Sequence, residues 1–177
     1  MDYTAHYDSP LGGITIASNG DALVGLYFDK SNSLPPCSAT SDSSDPSDPS
    51  DSSNPSNSSS SILDLTKHWL DRYFSGKVPD FTPQIMMRAS GFRRRVWEIM
   101  LQIPYGHTMT YGEIAAIIAK ERQMKSMSAQ AVGGAVGHNC IPIIIPCHRV
   151  IGANGTLTGY SAGLDKKIQL LKIEGIL

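Results

Sequence analysis

The feature that most limits how this chain can fold is a tract from Ser31 to Ser61 dominated by Ser, Asp, Asn and Pro. Asp45-Pro46-Ser47, Asp48-Pro49-Ser50 and Asn54-Pro55-Ser56 recur in it at short period. A segment of this composition cannot bury enough apolar surface to offset the entropy of ordering it. It is read as a disordered insert, with a phosphorylatable regulatory tract as the alternative. The remainder of a 177-residue chain is expected to form one domain or two small ones around a real core.

Before the tract lie two alternating runs, Gly13-Ile14-Thr15-Ile16-Ala17 and Ala22-Leu23-Val24-Gly25-Leu26-Tyr27-Phe28, joined by Ser18-Asn19-Gly20-Asp21. Asn-Gly between alternating strands is a hairpin signal. After it, Leu63 to Phe74 reads as an amphipathic helix ending at Ser75-Gly76. This N-terminal part, residues 1–83, is expected to be a small sheet plus helix, and shows no chemistry of its own.

Charge divides the chain at the same place. Residues 1–83 carry four basic side chains against eleven Asp, a balance of −7, and residues 84–177 carry eleven against five acidic ones, a balance of +6. The total of −1 therefore hides an acidic part and a basic face able to meet phosphate. An ordinary solvated surface is the alternative. Three cysteines, Cys37, Cys140 and Cys147, make no disulfide framework and point to a reducing compartment. The opening residues lack a basic region followed by a long apolar run, so no signal peptide is expected. The longest apolar stretch, Ile141 to Ile145, is far short of a membrane span. The expected location is cytoplasmic, or nuclear if the source is eukaryotic.

From Ser90 onward the pattern is helical. Arg93 to Ile103 places Val96, Ile99, Met100 and Ile103 on one face, Thr110-Tyr111-Gly112-Glu113 is a capping box opening a helix through Ile118 to Lys120, and Ser128 can cap a helix from Ala129 to Val136. The last two suggest a helix-turn-helix. The second carries adjacent glycines in its interior, Ala131-Val132-Gly133-Gly134, at about 1 kcal/mol each relative to Ala. Either tight helix packing or close approach of the backbone to a ligand or narrow groove accounts for them. Arg93, Arg94, Arg95, Lys120, Arg122 and Lys125 could contact phosphate or simply face solvent.

The run Ile143-Ile144-Ile145-Pro146-Cys147-His148-Arg149-Val150 reads as a buried strand delivering a cysteine and a histidine at its end. A cysteine there is either a small buried hydrophobe or a nucleophile. Neighbours on a strand point to opposite faces, so proton transfer between Cys147 and His148 needs a bridge such as water. Glu174, on a helix from Lys166 to Ile173, could orient the imidazole.

Pro146-Cys147-His148-Arg149-Val150, with Asn139 before it and Gly159-Tyr160-Ser161 and Leu170-Leu171-Lys172-Ile173-Glu174-Gly175 after it, resembles the O6-alkylguanine-DNA alkyltransferases. Asp8-Ser9-Pro10-Leu11-Gly12 and Tyr73-Phe74-Ser75-Gly76 resemble that family's N-terminal domain. The likeness implies an α+β, two-domain fold: a small N-terminal sheet with a helix, then a helical domain over 84–177 with a helix-turn-helix and an active-site strand or loop. It further implies a DNA-repair protein acting on double-stranded DNA. An alkyl group passes irreversibly from O6 of guanine, and also O4 of thymine, to the protein's own cysteine, after the base is flipped out through the minor groove.

By the same likeness Cys147 is the acceptor. His148 acts on it through water, Glu174 orients His148, and Asn139 is a hinge before the active-site strand. Tyr111 assists the leaving guanine and crowds the phosphate. Val150, Tyr160 and Ser161 form the base pocket, and Arg149 is structural. Gln130, Ala131, Gly133 and Gly134, with Arg93, Arg94, Arg95 and Lys125, are the expected DNA contacts. No metal or cofactor is implied, since the zinc ligands of some members have no counterparts here, and the family precedent is a monomer. Two positions depart from the pattern. Gln130 stands where the family usually has an arginine, and Cys140, read as a packed thiol, where it commonly has proline. The other readings are a DNA-binding module without transfer, whose relatives lack the reactive cysteine, and a cysteine hydrolase, for which no signature is present.

Overall fold

A computed structural model describes residues 2–29, 58–89 and 91–177. Strands β1 (Tyr3–Ser9), β2 (Gly12–Ser18) and β3 (Leu23–Phe28) form an antiparallel sheet in the order β1-β2-β3. The expected hairpin is β2–β3, with Ile14 opposite Phe28 and Ile16 opposite Leu26. Its turn is closed by the Asn19 side chain, whose Oδ1 accepts from the amides of Asp21 at 3.1 Å and Ala22 at 2.9 Å. β1 is an edge strand that the sequence reading did not anticipate. Tyr3, Ala5 and Tyr7 do alternate with polar residues, but no residue of the strand is fully buried, so the pattern lacks a strong apolar face.

Helix α1 (Ser58–Phe74) covers this sheet. It starts five residues before the expected Leu63, so positions 58–61 belong to a helix and not to the insert; the rest of the insert, 31–57, lies outside the described residues. Trp69, Leu70 and Tyr73 of α1 pack with Ile14, Ile16 and Leu26 of the sheet, and this cluster continues without a break into Val96, Trp97 and Met100. The two sequence halves thus share one core.

The second half contains α2 (Gly91–Leu101), the two-residue strand β4 (Met109–Thr110), α3 (Tyr111–Glu121), α4 (Ala129–Gly137), a 3-10 turn (Cys147–Arg149), β5 (Val150–Ile151), a second 3-10 turn (Ala153–Gly155) and α5 (Leu164–Ile173). β4 and β5 pair in parallel, Met109 with Val150 and Thr110 with Ile151, which brings the start of α3 beside the chain leaving the Cys147 turn. The capping box is present: Thr110 Oγ1 accepts from the Glu113 amide at 3.1 Å, and Glu113 Oε2 accepts from the Thr110 amide at 2.7 Å. α3 and α4 are joined by residues 122–128, and Trp97 Nε1 donates to the Ala135 carbonyl at 2.9 Å, fixing α4 against α2.

The expected buried strand before Cys147 is a turn. Ile141, Ile143, Ile144 and Ile145 are all buried, so their burial is as read, but the backbone reverses. Pro142 and Pro146 have no N–H to give a sheet ladder. Ile143 has φ +73°, a left-handed conformation that costs a non-glycine residue about 1–3 kcal/mol. The Ile145 amide turns back to the Ile141 carbonyl at 2.9 Å. Asn139 replaces the missing ladder: its Nδ2 donates to the Ile145 carbonyl at 2.8 Å and its Oδ1 accepts from the Ile141 amide at 3.0 Å. From outside, the Leu26 amide of β3 donates to the Cys140 carbonyl at 2.8 Å.

Replacing Thr110 by alanine removes the oxygen that caps α3 and is expected to lower stability by about 1 kcal/mol. Urea unfolding should show a lower midpoint at unchanged slope; an unchanged midpoint would show that the cap adds nothing.

Candidate functional site

Cys147 begins the 3-10 turn directly after Pro146 and is 3% exposed. It lines a cavity of about 680 Å³, a size usual for small-molecule sites. One wall is the loop of Thr158, Gly159, Tyr160 and Ser161. The facing wall is α4, which presents Ala129, Gln130, Gly133 and Gly134, and Tyr111 at the start of α3 completes the rim. Tyr111 Oη donates to the Thr158 carbonyl at 3.3 Å, bridging the two walls.

The glycines of α4 are not explained by internal packing. A Cβ at Gly133 would meet the Tyr111 ring at an ordinary 3.8 Å, and one at Gly134 or Gly137 would meet nothing within 4 Å. Of the two accounts of these residues, the crowded helix interface is therefore removed, and an open, nearly side-chain-free surface beside Cys147 remains.

Behind the sulfur is a buried charged network. Glu174, the residue that caps α5, is 5% exposed. Its Oε1 lies 2.7 Å from His148 Nε2 and accepts from Arg149 Nη2 at 3.0 Å. Its Oε2 accepts from Arg149 Nε at 2.9 Å and from the Gly106 amide at 3.2 Å. Burial pushes the Glu174 carboxyl up, but hydrogen bonds and charge from His148 and Arg149 outweigh it and hold the group at about 2. Arg149 also donates through Nη1 to the Ile103 carbonyl at 2.7 Å, in keeping with its reading as a structural tie.

His148 is fully buried, and that burial, reinforced by the charges of Arg149 and Lys167, holds it below its ordinary value despite Glu174. A neutral imidazole whose Nε2 faces an acceptor-only carboxylate carries its proton there. Nδ1 then offers a lone pair, and it is buried with no hydrogen-bond partner among the described residues. Burial likewise raises the Cys147 thiol, opposed by a hydrogen bond from Asn139, the charge of Lys167 and contact with Tyr160. The site therefore holds a thiol, a neutral base beside it in sequence and a carboxylate that orients the base.

Lys167 and Tyr73 belong to this site, and neither was found by sequence reasoning. Lys167 Nζ is buried and donates to the carbonyls of Val150 at 2.6 Å and Thr158 at 3.0 Å, joining the Cys147 turn to the cavity loop. No sequence signal marks it, because a lysine on α5 reads as a solvent-facing residue. Tyr73 of α1 donates to Glu174 Oε1 at 2.8 Å; its tetrapeptide was noted, but only as part of a likeness.

The remaining expected residues are placed unevenly. Ala131 is exposed on α4 and does not line the cavity, and Val150 is in the core with its carbonyl bonded to Lys167. Arg93, Arg94 and Arg95 lie on α2, away from the cavity lining; Arg94 pairs with Glu98 at 3.3 Å and Arg95 with Glu121 at 2.6 Å. Lys125 borders a separate groove on the outer side of α3. Cys140 is buried and disulfide-bonded, which corrects its reading as a packed thiol.

Comparison with known proteins gives two adjacent family matches. Residues 3–86 match "6-O-methylguanine DNA methyltransferase, ribonuclease-like domain", and residues 91–176 match "6-O-methylguanine DNA methyltransferase, DNA binding domain". The chain is 40% identical over 172 residues to the methylated-DNA–protein-cysteine methyltransferase of Mycobacterium bovis, covering 96% of this chain and 92% of that protein. Among solved structures, the O6-methylguanine methyltransferase of Mycobacterium tuberculosis superposes with a TM-score of 0.72 at 35% identity, covering 98% of this chain and 93% of that one. A Mycobacterium tuberculosis protein of this kind solved in complex with DNA gives 0.69 at 38% identity, over 96% and 90% of the two chains. The two matched segments, the shared fold and the identity along nearly the whole length establish that the chain belongs to the 6-O-methylguanine DNA methyltransferase family.

Proposed function

We propose that Cys147 is the residue that takes the alkyl group in the DNA repair reaction of this family, once per molecule. The observation that carries the reading is the cavity that Cys147 shares with Tyr111, Tyr160 and the side-chain-poor face of α4. The thiol proton passes through water to His148 Nδ1 while Glu174 holds Nε2. The sulfur attacks the alkyl carbon, an S–C bond forms and the C–O6 bond breaks. Its electron pair stays on the guanine, which the Tyr111 hydroxyl assists by hydrogen bonding. The net charge of Lys167, Arg149 and Glu174 is positive, which favours the thiolate over the thiol at the moment of attack. The product is a thioether without a practical leaving group, so turnover stops after one transfer, and no metal or cofactor enters the balance.

A buried sulfur cannot reach O6 inside a stacked pair, so the nucleotide leaves the helix first. The exposed strip of α4 around Gly133 and Gly134 suits a minor groove, where a bare backbone approaches closely. Gln130 on that strip fills the space left by the base. Tyr160, Ser161 and the backbone near Val150 receive the base, and Asn139 holds the turn that presents Cys147. O4 of thymine offers the same enol-ether geometry and is a second substrate. The same proposal includes a division near residue 83, a monomer on double-stranded DNA, α3 and α4 acting as a helix-turn-helix, and work in the cytoplasm, or in the nucleus of a eukaryote. No described helix is long and apolar enough to cross a membrane.

Incubation with a duplex containing O6-methylguanine is expected to add one methyl group to the intact protein, mapped to Cys147. Cys147→Ser should abolish the gain while leaving duplex affinity. A wild-type protein that binds but stays unmodified would reduce the function to lesion binding.

Gly134→Ala separates folding from recognition. The added methyl meets nothing inside the protein and removes a helix glycine, so the folded state should gain about 0.5–1 kcal/mol. Duplex affinity should fall at least about tenfold if α4 lies in the groove, which is about 1.4 kcal/mol. Unchanged affinity in a binding titration would remove α4 from the interface.

Gln130→Arg adds reach and charge to the residue that fills the vacated stack. It should speed repair of duplex DNA more than reaction with free O6-benzylguanine. Equal acceleration of both in single-turnover assays would show that Gln130 has no part in holding the flipped state.

A further inference from the structure

The alkyl-transfer reading leaves one buried polar side chain at the network unused. Tyr73 comes from α1, in the part of the chain that carries no chemistry of its own, and is fully buried. Its ring stacks on Trp69 at 5.4 Å and meets Tyr105 and His148 edge-on at 6.0 and 6.3 Å. A phenylalanine would supply those ring contacts. A hydroxyl at this depth would cost about 1–3 kcal/mol if unbonded, so its partner matters. That partner is Oε1 of Glu174 at 2.8 Å, the same oxygen that His148 Nε2 uses, and the hydroxyl oxygen lies 3.3 Å from Nε2 itself.

Donors that share one carboxylate oxygen compete, because each draws on the same negative charge. Oε1 meets His148, Tyr73 and Arg149 together. We propose that Tyr73 is a positioning residue for alkyl transfer, whose hydroxyl fixes Glu174 Oε1 against His148 and limits how tightly the carboxylate holds the imidazole proton, so that His148 Nδ1 stays available as the acceptor. The inference rests on the reading of Cys147 as the alkyl acceptor. The groups that act on the imidazole are Glu174 at the end of α5 and Lys167 in the first turn of that helix, Arg149 in the imidazole's own turn, and Tyr73 across it. Of these only Tyr73 donates a neutral hydrogen bond to the oxygen that His148 uses. Burial already keeps His148 below its ordinary value. Loss of the Tyr73 hydroxyl strengthens the pull of Glu174 and moves His148 back up, so the imidazole holds a proton to higher pH.

Histidine-selective 15N labelling of the full chain, without DNA, follows the His148 imidazole through a pH titration. Tyr73→Phe is expected to raise its midpoint by about half a pH unit or more. Incorporation of 3-fluorotyrosine at position 73, whose phenol is a stronger donor, should lower it and guards against a misfolded phenylalanine variant. In single-turnover reaction with free O6-benzylguanine, Tyr73→Phe should be about threefold slower at a pH well below both imidazole midpoints and unchanged near pH 8.5, the factor that half a unit gives. Midpoints that stay put, or that move the same way in both variants, make Tyr73 a packing residue only, whatever happens to the melting temperature. The imidazole titration involves no alkyl donor, so its outcome is independent of whether Cys147 accepts an alkyl group.

Discussion

The Glu174 carboxylate is the interaction on which the rest of the site depends. It collects donors from α1 through Tyr73, from the segment before β4 through Gly106, and from the Cys147 turn through His148 and Arg149. Four stretches of chain far apart in sequence therefore meet at one buried charge. Such a charge is tolerated only when its lone pairs are satisfied, and removing one partner of a buried pair costs about 3–5 kcal/mol. The requirement runs in both directions: the fold supplies enough donors to keep the carboxylate ionised, and the ionised carboxylate fixes which nitrogen of His148 bears the proton. Fold and reactivity share the same atoms.

The turn from Asn139 to Pro146 shows a second constraint. Cys147 lines the cavity while only 3% exposed, with its backbone held by the turn before it. A strand would have continued past that point, whereas two prolines and a left-handed Ile143 reverse the chain just before the cysteine. The strain at Ile143 is offset by burial of four isoleucines and by the two hydrogen bonds of Asn139. The run was legible as buried and as ending in a cysteine and a histidine, because composition determines burial. Its shape was not, because an apolar stretch between prolines has the same composition as a short strand. The decisive partners, Asn139 and Leu26, act through a side-chain amide and a distant backbone amide that periodicity does not register.

The rest of the site divides along the same line. Cys147, His148 and Glu174 were legible as reactive residue types and Tyr111 through the family resemblance; the structure joins His148 to Glu174 and sets Cys147 and Tyr111 along one cavity. Lys167 and Tyr73 were not legible as site residues. A lysine gains a buried role here only because Val150 and Thr158 turn their carbonyls toward it, and a helix tyrosine only because α5 ends opposite it. Both facts belong to the packed core that joins the two sequence halves.

Charge gives the last instance. A balance of +6 over residues 84–177 suggests a broadly basic face, yet much of it is used inside the protein. Arg149 and Lys167 are buried, and Arg94 and Arg95 pair with Glu98 and Glu121. The positive charge left at the surface near α3 and α4 is concentrated at the end of α3 and in the connection that follows it, at Lys120, Arg122 and Lys125, all exposed. If these three residues supply the phosphate contacts of the proposed function, the dependence of affinity on salt is shallow, since each neutralised phosphate contributes about one unit to that slope. Under the function proposed above, binding by this chain draws more on the close approach of α4 and on the cavity proposed to receive the base than on net charge.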